Sequence, residues 1–356
     1  MLTYFMIERL KDYIDNLKSL ESERRAFAAK VRESAVTLSL EDAFEGTLVS
    51  EVPYAQFTGR VAAADASFHM REYNSIDMLL VRTVGAVFDY DCGKLVKTSY
   101  VPGTRPEPLV EITYSLEMHD VNWFKSLFRL NSELGATLNV MESQKPLVML
   151  VDGALAPLLS DKPSGDSSLG PMYQDVIAKF KRVYETAEKS GIMLIGVIKD
   201  TRARRFMDLM MRKFGSSRVI SYTNDVSMLN HILRENERTC SLHYSSGTKP
   251  SVMKDLGEWA DKLGIMYLRA SAMDTPIRLE HLSSQSPSKV AEVVLALSKI
   301  NETYAYPAVL IEADLRALLD MGEVEHTIRS LYFNAGVQDI NLDLRRNSRP
   351  FRQNSK

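Results

Sequence analysis

The chain has 356 residues, of which 45% are hydrophobic, and its 44 Lys and Arg oppose 46 Asp and Glu for a formal net charge of -2. A chain of this length can form one large domain or two ordinary ones. A net charge near zero excludes an overall positive surface that would attract nucleic acid. Cys92 and Cys240 form no CxxC pair, which argues against zinc knuckles, thiol redox chemistry and secretion, so a cytoplasmic protein is expected. The longest apolar stretch, residues 191–198, is too short to span a bilayer, so no membrane role is expected.

The first segment has the pattern of an amphipathic helix. Within residues 1–35, apolar side chains recur three and four positions apart with charges between them, at Ile7, Leu10, Ile14 and Leu17. Four apolar positions are too few to establish a coiled coil. The helix therefore either packs on its own domain or pairs with a second subunit.

Three strand-like runs follow, at residues 60–64, 78–88 and 94–101. The turn residues at 89–93 separate the last two runs and favour an antiparallel meander. A helical pattern over residues 121–141 precedes a strand at residues 147–151. The predicted order is strand, strand, strand, helix, strand.

Predicted helices and strands alternate along the rest of the chain. A polar segment at residues 160–170 is interpreted as a mobile loop that could gate a neighbouring site. Helices are predicted at residues 172–189, 201–214, 287–300 and 307–319, and strands at residues 192–198, 265–269 and 277–282. Alternation after a meander indicates an α/β fold, a mixed sheet flanked by helices. Residues 344–356 form a basic, flexible tail, either solvated or in contact with DNA.

Asp65 and Asp152 each follow an apolar run and precede small residues. An Asp at the carboxyl end of a buried strand points into the crevice where sheet proteins place their chemistry. Two carboxylates brought together repel unless a cation or a shared proton offsets their charge, which points to a hard divalent metal. The alternative is that both Asp residues only begin turns.

The order of elements, with one Asp on the first strand and another ending the fourth, is the layout of ribonuclease H-like folds, in which the intervening helix usually gives a Glu. Glu133 fits this position, 19 residues before Asp152, with Glu111, Glu117 and Glu142 as rivals. A surface pair between Glu133 and Arg129, four residues apart, is the alternative role.

Several segments together resemble the NurA family of archaeal and bacterial DNA-end-processing nucleases. They run from about residue 60 to residue 319 and are Ala64-Asp65-Ala-Ser67, Arg129-x-x-x-Glu133, Val151-Asp152-Gly153-Ala-Leu, Gly196-Val-Ile-Lys199, Ile277-Arg278-Leu-Glu280, and Tyr306-Pro307 leading to Ala313-Asp314. Two positions depart from the family pattern: Ala66 where Gly is common, and Asp314 where many relatives carry His. Aspartate ligates Mn²⁺ or Mg²⁺ as well as His does, so the site stays plausible.

The resemblance implies a ribonuclease H-like core, a homodimer and Mn²⁺-dependent hydrolysis of DNA beside the hexameric translocating ATPase HerA. The implied activity is that of a 5'-3' exonuclease and single-strand endonuclease that resects ends in double-strand break repair. Residues 51–343 would form the nuclease domain, after an N-terminal helical segment at 1–50 and before the tail at 344–356. The chain has no GxxxxGK[ST] loop, so a DNA motor must be a separate polypeptide.

Phosphodiester hydrolysis needs a nucleophilic water and stabilisation of the leaving oxygen, and two cations about 4 Å apart can serve both. The predicted ligands for Mn²⁺, or for Mg²⁺, are Asp65 as the bridging ligand with Glu133, Asp152 and Asp314. Lys199, at a strand end, either contacts the scissile phosphate, or holds a carboxylate in place, or is an exposed lysine.

Tyr306 precedes Pro307 at a predicted helix start. Its hydroxyl either meets a phosphate near the positive helix end or packs in the core. Arg202, Arg205 and Arg278 are the candidate DNA contacts, although arginines near residue 205 also suit a solvated helix face. The six His residues form no HxxxH pair, so a zinc hydrolase is not expected.

Two other functions compete with the nuclease. An actin-like sugar kinase or ATPase also begins with an Asp-bearing strand and a meander, but the first motif has no glycine beyond Gly59 to form a phosphate-binding hairpin. A non-catalytic ribonuclease H-like adaptor would dock on an ATPase or DNA without hydrolysis. The presence of all four acidic positions favours the nuclease.

Overall fold

The computed structural model describes residues 2–34, 39, 42–114, 116–244, 247, 249–334 and 336. Its strands are β1 (Val49–Glu51), β2 (Gly59–Glu72), β3 (Ile76–Asp91), β4 (Lys94–Val101), β5 (Leu109–Tyr114), β6 (Val148–Asp152), β7 (Met193–Ile198), β8 (Glu237–Thr239), β9 (Leu242–His243), β10 (Leu263–Arg269) and β11 (Ile277–Leu282). Its α-helices are α1 (Leu2–Glu33), α2 (Met118–Gln144), α3 (Gly170–Ser190), α4 (Arg205–Phe214), α5 (Arg218–Ser221), α6 (Asp225–Ile232), α7 (Ser251–Asp255), α8 (Pro287–Ser298), α9 (Ala308–Ala317) and α10 (Met321–Asn334). Short 3-10 helices lie at Leu159–Asp161 and Gly257–Asp261.

One mixed sheet carries the site, with the strand order β1-β8-β10-β11-β7-β6-β2-β3-β4. Strands β2, β3 and β4 form the antiparallel meander, whereas β6 pairs in parallel with both β2 and β7. The run β4-β3-β2-β6-β7 is the ribonuclease H-like arrangement, and β11 and β10 extend it in antiparallel fashion. The predicted fold class, an α/β fold with a mixed sheet flanked by helices, is confirmed.

Both faces of the central strands are covered, which explains their continuous apolar runs. On β6, Val148 and Leu150 pack in a cluster with residues of α8 and α9. Met149 and Val151 point to the other face and pack with residues of α2 and α3. The catalytic candidates therefore sit at the edge of a three-layer core.

The predicted N-terminal helix is present as α1, and its two halves differ. Its second half buries Leu20, Ala28 and Val31 in a cluster with residues of α4, α5 and α6. The predicted apolar face of the first half is exposed, at 47% for Ile7, 58% for Leu10, 40% for Ile14 and 59% for Leu17. Packing within the chain therefore accounts only for the second half.

Several elements differ from the sequence-based expectations. Strand β2 continues through Asp65 to Glu72, because β3 pairs with it along its whole length. The helix predicted at residues 201–214 begins only at Arg205. Strands β1, β5, β8 and β9 and helices α5, α6, α7 and α10 were not predicted. All of them except α10, which has 14 residues, are two to eight residues long and give little periodicity.

The polar segment at residues 160–170 is hydrogen-bonded to helix α2. Asp161 is 6% exposed, accepts a hydrogen bond from Ser126 Oγ on α2 at 2.6 Å, and accepts another from the Leu158 amide at 2.7 Å. Ser167 donates to Asp120, at the start of α2. Hydrogen bonds thus hold the segment at Asp161 and Ser167, and its mobility and gating stay predictions. The predicted basic tail at 344–356 lies outside the described residues.

Candidate active site

Asp65 and Asp152 lie on neighbouring parallel strands. The register pairs Ala64 on β2 with Val151 on β6, and Asp65 and Asp152 are the next residue on each strand. β6 ends at Asp152, whereas β2 continues past Asp65. Two carboxylates are thus directed to the same edge of the sheet.

Two glycines hold the turn that follows Asp152 close to β7. Gly153 has a φ of 136°, in the region that only glycine adopts readily, and its amide donates to Val197 O at 3.1 Å. A Cβ on Gly196 would lie 2.7 Å from Gly153 O, so any side chain there would displace the turn. Both glycines therefore fix where the Asp152 carboxylate emerges.

Both carboxylate oxygens of Asp152 accept a hydrogen bond. Lys199 Nζ donates to Oδ2 at 3.0 Å, and Tyr306 Oη donates to Oδ1 at 2.9 Å. Partial burial lowers the pKa of Lys199, but the hydrogen bond and charge of Asp152 outweigh it and raise that pKa above its ordinary value. Burial and the Asp152 carboxylate raise the pKa of Tyr306 well above that of a free tyrosine. Tyr306 is therefore a neutral donor that orients Asp152, and it is 3% exposed.

Asp314, on α9, lies close enough to the Asp65 carboxyl group to raise its pKa. Burial, with the nearby charges of Asp152 and Asp314, raises the pKa of Asp65 to about 6. Two carboxyl groups in contact need a shared proton or a cation between them. A cation bound between Asp65 and Asp314 would offset their charge.

Glu133, on α2, is the fourth carboxylate of the site and is 5% exposed. Burial and the charges of Asp65 and Asp152 raise the pKa of Glu133 to about 8. The Arg129 guanidinium, 2.9 Å from the Glu133 carboxylate, lowers that pKa but does not outweigh them. The predicted pair with Arg129 is therefore real, yet Glu133 also belongs to the acidic group.

The rival glutamates are exposed and lie elsewhere. Glu111 is on the outer strand β5, Glu117 immediately precedes α2, and Glu142 is paired with Arg182 at the far end of α2. None of the three contributes to the raised pKa of Asp65 or Glu133. Their placement leaves Glu133 as the helix carboxylate of the site.

The donor set fits a divalent cation. All four carboxylates supply hard oxygen ligands, and burial together with the charges of Asp152 and Asp314 raises the pKa of Asp65, a charge repulsion that a cation would relieve. Within the described ranges, no group of three or more His, Cys, Asp or Glu side chains is arranged to hold a metal ion. Asp152 instead contacts Lys199 and Tyr306, and Glu133 contacts Arg129.

Sequence reasoning did not identify the role of Glu280, which is fully buried on β11. Its Oε2 accepts a hydrogen bond from the Leu155 amide at 2.8 Å, three residues after Asp152, and its Oε1 pairs with Arg278. The sequence did contain a signal for this pair: Arg278 and Glu280 have opposite charges and stand at positions i and i+2 of a strand, so their side chains face the same side of the sheet. Arg278 was predicted to bind DNA, but its buried guanidinium neutralises Glu280 instead.

The basic stretch after Lys199 also differs from the prediction. Arg205 is 7% exposed and donates to His243 O at 2.8 Å and Asp42 O at 3.0 Å, so it holds the fold together and is not available to DNA. Arg204 donates to backbone carbonyls of Ser221 and Thr223. Of the three predicted DNA contacts, Arg202 is the exposed one.

We expect the metal-free protein to lose stability as pH rises. The folded-state pKa values of about 6 for Asp65 and about 8 for Glu133 exceed the ordinary carboxyl values, so the folded state binds more protons between roughly pH 4 and pH 8. Stability is therefore lost as pH rises through that window. The melting temperature in EDTA should fall by several degrees between about pH 5 and pH 8.5, and Mn²⁺ should reduce the difference.

The control for this pH dependence is Asp65→Asn combined with Glu133→Gln. These amides keep the shape of the side chains and cannot ionise, so the curve in EDTA should flatten. An unchanged slope in the double variant would show that other groups cause the effect.

Comparisons with known proteins agree with this geometry. The family model of the NurA domain matches residues 59–317, well over half of the chain. A crystal structure of the NurA nuclease from Sulfolobus solfataricus is 14% identical with a TM-score of 0.60, covering 94% of this chain and 97% of that one. A crystal structure of NurA bound to dAMP and manganese is 11% identical with a TM-score of 0.57, covering 94% and 98%.

A search of curated protein sequences gives no significant match. The described part of the chain has no helix long and apolar enough to cross a membrane. At these identities the solved structures show a shared fold, and the family model adds the match in sequence. The chain belongs to the NurA family.

Proposed function

We propose that this protein is a divalent-metal-dependent DNA phosphodiesterase. The observation that carries the proposal is the grouping of Asp65 and Asp314 with Asp152 and Glu133, because four carboxylates at one site supply the hard oxygen ligands that a divalent cation prefers. Family membership supports the proposal, and a solved NurA structure contains both a deoxynucleotide and manganese.

The four carboxylates would hold Mn²⁺, or Mg²⁺ in its place, as two ions, with Asp65 as the central ligand. Bound there, the ions would supply activation of a water and charge stabilisation at the leaving oxygen. Tyr306 keeps its proton and orients Asp152, while the glycine turn fixes the Asp152 backbone. Lys199 is 41% exposed beside Asp152, so its ammonium is placed to contact a phosphate oxygen entering the site.

An assay with purified protein tests the activity directly. Labelled single-stranded and double-stranded DNA should be hydrolysed with Mn²⁺, and EDTA should abolish the hydrolysis. ATP and sugars are tested in parallel, because a sugar kinase or ATPase would consume ATP. A non-catalytic adaptor would bind DNA and cleave none. Absence of metal-dependent cleavage on every DNA would refute the phosphodiesterase.

For the mode of action, we infer 5'-3' exonuclease and single-strand endonuclease activity that resects DNA ends in double-strand break repair, in the cytoplasm, with a HerA-type hexameric ATPase. The net charge of -2 supports a partner, because the isolated chain attracts DNA only weakly and a translocase would raise the local DNA concentration. Arg202, exposed near the site, is the candidate contact to the strand.

We also infer a homodimer in which the exposed apolar face of α1 takes part. Four large apolar side chains on one helix face remain open to solvent in the isolated chain, which is costly unless another surface covers them. Either a second copy or the ATPase would supply that surface.

Leu10→Asp with Ile14→Asp is expected to weaken self-association or ATPase binding by at least about tenfold, because two charges enter an apolar contact. Light scattering and a HerA binding assay measure the effect. The matched control is Arg9→Asp with Asn16→Asp, which adds acidic residues on the other side of α1 and should bind normally. A monomeric wild-type protein whose double variant binds HerA unchanged would refute this role of α1.

A further inference from the structure

A polar contact between the sheet and the end of α9 is centred on one peptide group. The carbonyl oxygen of Leu318 accepts a hydrogen bond from Arg82 Nη1 at 3.0 Å, and the amide of Leu319 donates to Ser67 Oγ at 3.4 Å. These two backbone atoms belong to the same peptide group. Ser67 and Arg82 stand directly opposite each other on β2 and β3. One cross-strand pair of side chains thus binds both polar atoms of one peptide.

Arg82 is held in a fixed orientation. Its side chain is 1% exposed, and its guanidinium also donates to Pro106 O at 2.6 Å and pairs with Glu323 on α10. A guanidinium directs its N–H groups along set directions in one plane, so several acceptors together determine its position. Glu323 neutralises a charge that would be costly to bury alone. Arg82 is therefore a rigid donor to the end of α9.

This peptide group is directly connected to the acidic site on both sides. Leu318 N donates to Asp314 O at 3.0 Å, so the peptide lies one helical turn after Asp314. On the other side, Ser67 stands two residues after Asp65 on β2, and both side chains share one face of the strand. A continuous set of bonds therefore links the backbone of Asp65 to the backbone of Asp314.

Apolar packing constrains this part of α9 less than it constrains other helices. Ala313 and Ala317, on either side of Asp314, are fully buried. Ala313 packs in a cluster that includes Ala63 and Ala86 of the sheet. Small side chains form shallow ridges and grooves, so they resist sliding of a helix less than large ones do. Asp314 itself is exposed, so the polar contact determines where its backbone lies.

We propose that Ser67 and Arg82 are positioning residues for the metal site, which set the distance between the Asp314 and Asp65 carboxylates by binding the 318–319 peptide. The inference rests on the proposed metal-dependent function. Neither side chain contacts the cation or the DNA in this role. A ligand set has to be held to within about 0.5 Å of its working geometry. Residues that orient a ligand from behind change metal affinity by about 10- to 100-fold when they are replaced.

Mn²⁺ affinity, measured by titration calorimetry on folded protein, tests the role of the pair. Arg82→Lys keeps the charge beside Glu323 but loses the planar fork, and it should raise the Kd about tenfold. Ser67→Ala removes the acceptor of one hydrogen bond and should raise the Kd about threefold. Ser67→Thr keeps the hydroxyl and should restore the wild-type affinity.

Glu325→Gln is the matched control. Glu325 also connects α10 to β2, through Arg71 at 2.6 Å, but it does not contact the 318–319 peptide. The variant therefore weakens the attachment of the same helix to the same strand and should bind Mn²⁺ as the wild-type protein does. A Kd raised as much by Glu325→Gln as by Arg82→Lys would show a general effect of loosening α10 and overturn the inference.

A double-mutant cycle separates positioning from general stabilisation. In an Asp314→Asn protein the charge that the pair places is absent, so adding Arg82→Lys should change the Kd by less than about twofold. A loss as large as in the wild-type background overturns the inference, as does a wild-type Kd in the Arg82→Lys protein. If Arg82→Lys does not fold, Ser67→Ala takes its place in the same cycle.

Hydrogen exchange in EDTA tests the contact without metal. Amides of residues 314–320 should exchange at least about threefold faster in Arg82→Lys and Ser67→Ala than in the wild-type protein, and no faster in Glu325→Gln. A wild-type protein that binds no Mn²⁺ and hydrolyses no DNA refutes the proposed function. Unaltered exchange in both Arg82→Lys and Ser67→Ala overturns the role of the pair whether or not that function holds.

Discussion

Replacing Asp65 by Asn is expected to reduce Mn²⁺-dependent hydrolysis of DNA by roughly a thousandfold or more, because each cation contributes several kcal/mol of charge stabilisation. Asp152→Asn should have a similar effect. Both residues lie at adjacent positions of β2 and β6, so each variant removes a ligand charge at the centre of the site. Initial rates on labelled single-stranded DNA measure the loss.

Neither substitution should unfold the protein. Asp65 faces Asp314 and Asp152, so the neutral amide removes like-charge repulsion in the metal-free state. The melting temperature of Asp65→Asn in EDTA should therefore equal or slightly exceed that of the wild-type protein. Asp91→Asn, at the exposed end of β3, is the control and should retain full activity. A fully active Asp65→Asn protein would refute the metal assignment.

The order of the elements was predictable because long elements carry strong periodicity. The meander, α2 and the strand ending at Asp152 each appear where the sequence indicates them. The two Asp residues stood out because they interrupt apolar runs, and a carboxylate is costly at such a position unless it has a role. Their convergence follows from the parallel pairing of β2 and β6.

Other features depended on contacts that pattern alone does not specify. Arg205 lies in a basic segment, but the carbonyl oxygens that bury it belong to residues 38 and 163 positions away. Glu280 similarly acts on Leu155, 125 residues away. Tyr306 was expected near a phosphate or in the core; it is buried in the core, and its hydroxyl also bonds to Asp152, which the sequence did not indicate. Such pairings require the three-dimensional fold.

The site itself shows where local and tertiary information divide. Glu133 satisfies a local rule, the pair with Arg129 four residues earlier, and that rule alone would make it a surface residue. The packing of α2 on the sheet makes it 5% exposed beside two aspartates. The same side chain thus pairs with Arg129 and also belongs to the acidic group, and the sequence had left these two roles as alternatives. The catalytic role of all four carboxylates stays a prediction.

Glu133→Gln is expected to lower Mn²⁺-dependent turnover by about a hundredfold or more, because it removes a metal ligand without changing shape. Glu111→Gln, Glu117→Gln and Glu142→Gln are the controls, and each should remain within about twofold of the wild-type rate, since their side chains lie on the surface. A normal rate for Glu133→Gln with a large loss in one control would show that the helix carboxylate is misassigned.

A second readout of Glu133 does not depend on turnover. Burial raises its pKa to about 8, so at pH 7 the metal-free side chain is mostly protonated, and a ligand must be deprotonated to bind a cation. Mn²⁺ binding at pH 7 should therefore release a proton, seen as a binding enthalpy that varies with the ionisation enthalpy of the buffer. Glu133→Gln should release correspondingly less, while Glu142→Gln should match the wild-type protein. Equal proton release from the Glu133→Gln and wild-type proteins would mean that Glu133 does not deprotonate on binding, and would remove it from the metal site.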